Sequence, residues 1–315
     1  MFAFQHLISL TAPLFCLVLI GYLLTRWGGW PREVSDALTR FVFAVAVPTL
    51  LFRLMSNFWR LPAVDTRLLI AYFGGCLVVY LLGRLVGKYV FRMDGVSQSV
   101  FAMGGIFANN VLLGVPLAKV TLGDGSMPAV SLVLVFNSLT LWTLVTVSVE
   151  WARNRAPTWR ALVYTGKDVL LNPIVASILL GTGFGLLAWP MPAMIDQTLE
   201  LVGQAAVPLS LIALGMGLAE FGLRDGWRQS AAICVLKLAA QPMIVLLIAR
   251  AIGLPPLETQ AVVMLASLPV GANVFLMSRQ FSTLQGPIAS SLVFSTACAA
   301  ITTPVILALS AASLR

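Results

Sequence analysis

The chain has 315 residues, of which 59% are hydrophobic and only 10% charged, with a formal net charge of +8. Soluble domains carry about 25% charged residues, so this composition and a mean hydropathy of +0.94 argue against a water-soluble fold and for an all-α polytopic membrane protein. The basic residues are dispersed over short polar stretches, which argues against a nucleic-acid partner and makes the charge an orientation signal first.

Ten apolar windows follow one another at 7–25, 34–56, 68–91, 97–121, 127–150, 168–188, 196–219, 229–251, 258–279 and 287–312. Each is close to the roughly 20 residues a helix needs to cross a bilayer. The first is preceded by no basic segment and followed by no small-residue cleavage site, so it reads as a retained span rather than a signal peptide. The second holds Pro48 near its middle. The third holds Tyr72 and Tyr80, which suit a core and a cavity equally.

The fourth window departs from the pattern. Its centre reads GGIFANNVLLGVPL, with Asn109, Asn110, Gly114 and Pro116 at membrane depth. Proline in a helix interior removes a donor and clashes with the preceding turn, at about 3 kcal/mol. Backbone groups freed in this way are tolerated only against protein or a water-filled cavity. The fifth window carries Asn137, Ser138 and Thr140. These side chains serve a cavity or helix–helix hydrogen bonding. Residues 151–167 (WARNRAPTWRALVYTGK) then form the polar linker expected between two halves.

Beyond the linker, the seventh window repeats a mid-span proline at Pro208, and the eighth places Lys237 within CVLKLAAQPMIVLL. An ammonium at such depth costs roughly 2.5–3.5 kcal/mol on insertion scales, which makes it a functional candidate, with snorkelling to an interface as the plainer reading. The ninth window reads ASLPVGANVFL and is again interrupted, by Pro269, Gly271 and Asn273. Ser295 and Thr296 occupy the tenth. Cys16, Cys76, Cys234 and Cys298 all fall within windows at no metal or redox spacing and read as packing residues. The acids cluster near window ends and the single histidine is His6, so a carboxylate proton relay finds little support.

With the N-terminus outside, thirteen Lys and Arg fall on the inner side, six on the outer side, and Lys237 lies within a span. The positive-inside rule then places both termini on the outer, periplasmic face of a cell (inner) membrane.

An internal repeat organises the windows. Ala46-Val47-Pro48 recurs as Ala206-Val207-Pro208, and Pro13, Gly21 and Asp36 recur at the same spacing as Pro173, Gly181 and Asp196. Pro128 and Ser131 recur as Pro287 and Ser290 one position closer. Residues 1–150 and 168–315 therefore read as two halves of five spans. Five is odd, so the second half enters the membrane inverted. Inverted repeats with discontinuous helices at matching positions are the architecture of secondary transporters. The interrupted fourth and ninth spans each expose a half-helix N-terminus, where free N–H groups and the helix dipole favour an anion.

The Asn109/Asn110 pair with Gly114 and Pro116, the LKLAAQP run from Leu236 to Pro242, and LPVGAN from Leu268 to Asn273 together resemble the auxin efflux carrier family of permeases. That family includes the malonate and malate carriers and is related to the plant PIN-type auxin carriers. The resemblance covers essentially the whole chain. It implies ten helices in two inverted five-helix repeats, a scaffold from the first two helices of each repeat, a transport domain from the other three, and broken helices 4 and 9 crossing at the substrate site. It carries substrate contact onto Asn110 (or Asn109) and Pro116. It carries over to Asn273 less directly, because there the proline precedes the asparagine. The short 151–167 segment replaces the long cytosolic loop of the plant carriers, which argues against their phosphoregulation.

These observations give a secondary transporter for a small organic anion, a mono- or dicarboxylate such as malonate or malate, rather than an enzyme. Its expected site comprises Asn109, Asn110, Gly114, Pro116, Asn137, Lys237, Pro269, Gly271 and Asn273. No cofactor or metal is expected, and sodium or protons remain open as coupling ions. The expected partners are the substrate anion and the lipid bilayer, with a homodimer left open. The alternatives are an efflux carrier for auxin-like aromatic carboxylates and a non-transporting membrane anion sensor.

Overall fold

The computed structural model describes residues 2–57, 64–153, 173–187, 189, 191–220 and 226–312. Most of the expected linker, including Arg160, lies outside the described residues, as do Trp59 and Asp168. The described chain is helical almost throughout, because a backbone in lipid must satisfy its own hydrogen bonds.

Helix α1 spans Phe2–Arg26 and α2 spans Arg32–Ser56. Leu68–Tyr89 forms α3, and Gly95–Gly104 forms α4, whose first turn is capped by the Asp94 side chain accepting from the Ser97 N–H at 3.0 Å. Next come α5 (Asn110–Thr121), α6 (Met127–Ala152), α7 (Pro173–Leu186), α8 (Ala193–Glu220) and α9 (Trp227–Ala251). The last three are α10 (Pro256–Ser267), α11 (Asn273–Gln280) and α12 (Gln285–Ala312). Among the described residues, Arg32–Ser56, Leu68–Tyr89, Ala193–Ala219, Trp227–Ala251 and Gln285–Ser310 are long and apolar enough to cross a membrane. The protein is a polytopic, all-helical membrane protein.

Three helices contain one wide turn of π type, at Val42–Ala46 in α2, Asn110–Gly114 in α5 and Leu236–Ala240 in α9. Each turn stands immediately before an X-Pro step, at Pro48, Pro116 and Pro242. A proline ring collides with the carbonyl four residues earlier, and a locally widened turn moves that carbonyl aside. Pro208, the repeat partner of Pro48, lies inside α8 with no such turn.

The longest packings pair α1 with α8 and the second half of α2 with α7. Both depend on a glycine. A methyl group on Gly21 would strike the Ile212 carbonyl, and one on Gly181 would strike the Phe52 carbonyl. Positions 21 and 181 differ by 160, and so do 52 and 212, so the two contacts repeat each other. Arg53 at the end of α2 makes a two-pronged contact of 2.7 and 3.0 Å to Asp196 and reaches Glu200 at 3.2 Å, both on α8. The group is partly exposed, so it contributes about 1 kcal/mol at most. Among the other elements, α3 packs on α4 and α9, α9 on α10, and α12 on α9, α10 and α1, while α5 rests on α1 and α8.

Candidate functional site: the crossing of two broken helices

Between α4 and α5 the chain unwinds over 105–109, and between α10 and α11 it unwinds over 268–272. Leu268, the residue before Pro269, is extended (φ −67°, ψ 155°), as the proline ring demands. The two unwound stretches meet. Ala108 and Val270 form an antiparallel bridge, in which the Asn109 N–H donates to the Pro269 carbonyl at 3.0 Å and the Gly271 N–H donates to the Phe107 carbonyl at 2.8 Å. Each break thus satisfies backbone groups that the other leaves free, as a buried backbone requires. Gly271 permits the approach, because a Cβ there would lie 2.8 Å from the Ala108 carbonyl oxygen. Gly114 lets α5 close against Leu268, whose side chain would meet an added methyl at the same distance.

The C-terminal ends of the half-helices are held from α9. The Lys237 ammonium donates to the Ala266 carbonyl at 2.6 Å, in the last turn of α10. Four residues on, Gln241 donates to the Ile106 carbonyl at 3.0 Å, just past α4, and to the Cys76 sulfur at 3.2 Å. Both side chains are fully buried. A cation at the negative end of a helix dipole is favourably placed, and Thr303 adds a bond to the Ser267 carbonyl at 3.0 Å. The Val270 N–H is taken by the Ser295 hydroxyl at 3.0 Å.

The N-terminal ends face a cavity of about 410 Å³. Its wall includes Asn110, Val111 and Leu112 from the start of α5, Gly271, Ala272 and Asn273 from the start of α11, and Asn109 and Asn137. A second cavity of about 270 Å³ shares Thr39, Asn109, Leu112 and Ala272 with the first. Asn110 is buried. Its amide nitrogen donates to the Tyr72 hydroxyl at 3.1 Å and to the Asn137 Oδ1 at 3.3 Å, while its Oδ1 has no partner. Asn109 lines both cavities, and its side chain makes no hydrogen bond among the described residues.

Five of the expected residues (Asn109, Asn110, Asn137, Gly271 and Asn273) therefore share one cavity wall. Gly114 and Pro116 shape α5 behind that wall, and Pro269 contributes its carbonyl to the bridge. Lys237 is on the far side of the crossing, on a helix end rather than in either cavity. Tyr72 and Gln241 hold the geometry; the sequence left Tyr72 between core and cavity and gave Gln241 only as part of the LKLAAQP run, with no role of its own. Gln241 had a legible signal, since it follows Lys237 by one helical turn in the same apolar run.

A family model described as membrane transport protein matches residues 6–307. The chain belongs to the auxin efflux carrier family of membrane transport proteins. Membership makes it a multi-pass membrane transport protein. It is 27% identical over 295 residues to the "Putative malonate transporter" of Rhizobium meliloti (strain 1021), covering 91% of each chain. It is 25% identical over 297 residues to an uncharacterized transporter of Methanocaldococcus jannaschii, covering 89% of this chain and 91% of the relative. Auxin efflux carrier component 8 of Arabidopsis thaliana is 21% identical over 347 residues, covering 92% of this chain and 93% of the relative.

Proposed function

We propose that this family member is a secondary transporter that carries a small organic anion, a mono- or dicarboxylate of the malonate or malate type, by alternating access. The observation that carries the reading is the bridge at Ala108 and Val270, which brings the N-termini of α5 and α11 to the wall of one cavity. Their leading N–H groups and aligned dipoles favour negative charge. The Asn109 amide adds a side-chain donor without a competing partner, and Asn137 presents its amide nitrogen once its oxygen has accepted from Asn110. The repeated glycine contacts of α1 with α8 and of α7 with α2 support two inverted five-helix repeats. The charge count favours both termini outside.

The test is uptake of radiolabelled malonate into proteoliposomes under an imposed sodium gradient, proton gradient or membrane potential. Accumulation under one of these is expected and identifies the coupling. Asn109→Ala should cut uptake at least tenfold. Binding without flux under every gradient supports a sensor and removes the transporter reading. Uptake of an indole carboxylate in place of malonate moves the substrate class to the aromatic acids, for which Phe43, Leu134 and Val175 supply apolar wall.

A further inference from the structure

Away from the crossing, the wall of the smaller cavity changes character. Arg32, Ser35, Asp36 and Thr39 recur on α2 at spacings of three and four, so they form one stripe, and all four line that cavity. Thr39 also lines the larger cavity, so the stripe leads from an exposed end at Arg32 to the wall that holds Asn109. Opposite the stripe, Arg279 lines the same cavity from the last turn of α11. Asn273 at the first turn of α11 lines the larger one. Six residues separate them, a rise of about 9 Å, and helical side chains lean back toward the N-terminus. The guanidinium therefore leans along its helix toward the crossing.

The charges at this mouth are unevenly matched. Arg32 lies 3.7 Å from the Asp36 carboxylate and is partnered there. Arg279 is exposed, and its side chain forms no ion pair or hydrogen bond among the described residues. The Arg279 guanidinium thus stands as an unmatched positive charge where the cavity meets solvent. Low-dielectric walls focus its field and concentrate anions there, and a guanidinium offers a two-pronged fork to a carboxylate.

We propose that Arg279 is the capture and selectivity residue of this path, and that it favours small anions carrying two negative charges over those carrying one. One carboxylate goes to the half-helix N-termini while the other keeps the Arg279 guanidinium. This rests on the transport reading above. It adds a residue which neither the family match nor the crossing itself assigns.

The test is equilibrium binding of radiolabelled malonate to the purified protein, displaced by unlabelled malonate or by its monomethyl ester, a monoanion of similar shape. Arg279→Gln should weaken malonate about tenfold and leave the ester within about twofold, the range expected for loss of a focused charge. Arg279→Lys should restore most of the malonate affinity. Unchanged malonate affinity in Arg279→Gln, or equal weakening of both ligands, overturns the assignment while leaving the transport reading intact. Wild-type protein that melts cooperatively yet binds neither anion removes both.

Discussion

At the scale of single residues, the site mixes polar groups that are partnered with groups that are not: the Asn110 Oδ1 and the Gln241 Oε1 are buried without a hydrogen bond among the described residues. Asn110 uses both amide hydrogens on Tyr72 and Asn137. Asn110→Ala therefore strips a donor from two buried acceptors, at about 1–3 kcal/mol, and releases Asn137 from its position on the wall. Uptake should fall at least tenfold. Tyr72→Phe leaves the Asn137 contact in place and should cost only a few-fold, measured as initial rates in proteoliposomes. Lys237 has a different task. Its ammonium serves the Ala266 carbonyl, and a hydrogen bond to a charged group contributes about 1.5–3 kcal/mol. Lys237→Met should lower the melting temperature of the purified protein, whereas a change at the exposed Arg40 should leave it alone. A Lys237→Met protein with wild-type melting would remove the capping role. The asparagines and Lys237 were legible because polar groups stand out in an apolar run. Tyr72 was not, because a tyrosine is at home in a core and in a cavity wall alike.

At the scale of elements, the two breaks were readable from proline and glycine, but the way they engage was not. Ala108 and Val270 are plain apolar residues, and their pairing is made by the backbone of their neighbours, which carries no side-chain signature. The wide turns before Pro48, Pro116 and Pro242 were equally hidden, because hydropathy reports which face of a helix is buried and not how many residues make a turn. These features are open to test. Gly271→Ala places a methyl against the Ala108 carbonyl and should reduce both stability and uptake, while Gly183→Ala, which meets open space, should change neither. Pro116→Ala removes the ring that the turn at Asn110–Gly114 accommodates. The turn is then free to tighten by one residue, which rotates Asn110 by about 100° away from Tyr72. Loss of uptake of at least fivefold, with an unchanged or raised melting temperature, is the expected pair of results. Full uptake in Pro116→Ala would show that the wide turn does not set the asparagine geometry.

At the scale of the whole molecule, sequence matches 160 positions apart reappear as matched packing contacts, which the sequence itself did not show. Gly21 against Ile212 and Gly181 against Phe52 are those contacts, and the Arg53 contacts to Asp196 and Glu200 reinforce them. They tie α1, α2, α7 and α8 together, while α3, α4, α9, α10 and α12 pack among themselves, with α12 also resting on α1 and α5 resting on α1 and α8. The two cavities are walled by α2, α7 and α8 together with α5, α6, α11 and α12. A rigid displacement of the crossing past α2 would carry the anion with it and leave the stripe of α2 behind. Gly217 on α8 and Phe275 on α11 both line the smaller cavity, and Gly217 has open space for a side chain. In a background free of the four native cysteines, Gly217→Cys with Phe275→Cys can be joined by a cleavable bifunctional thiol reagent that spans the cavity. Joined protein should still bind malonate but lose at least nine-tenths of its uptake, and cleavage of the reagent should restore it. Full uptake by the joined protein would mean that the anion crosses without relative motion of α8 and α11, and the alternating-access mechanism would have to give way to a fixed path.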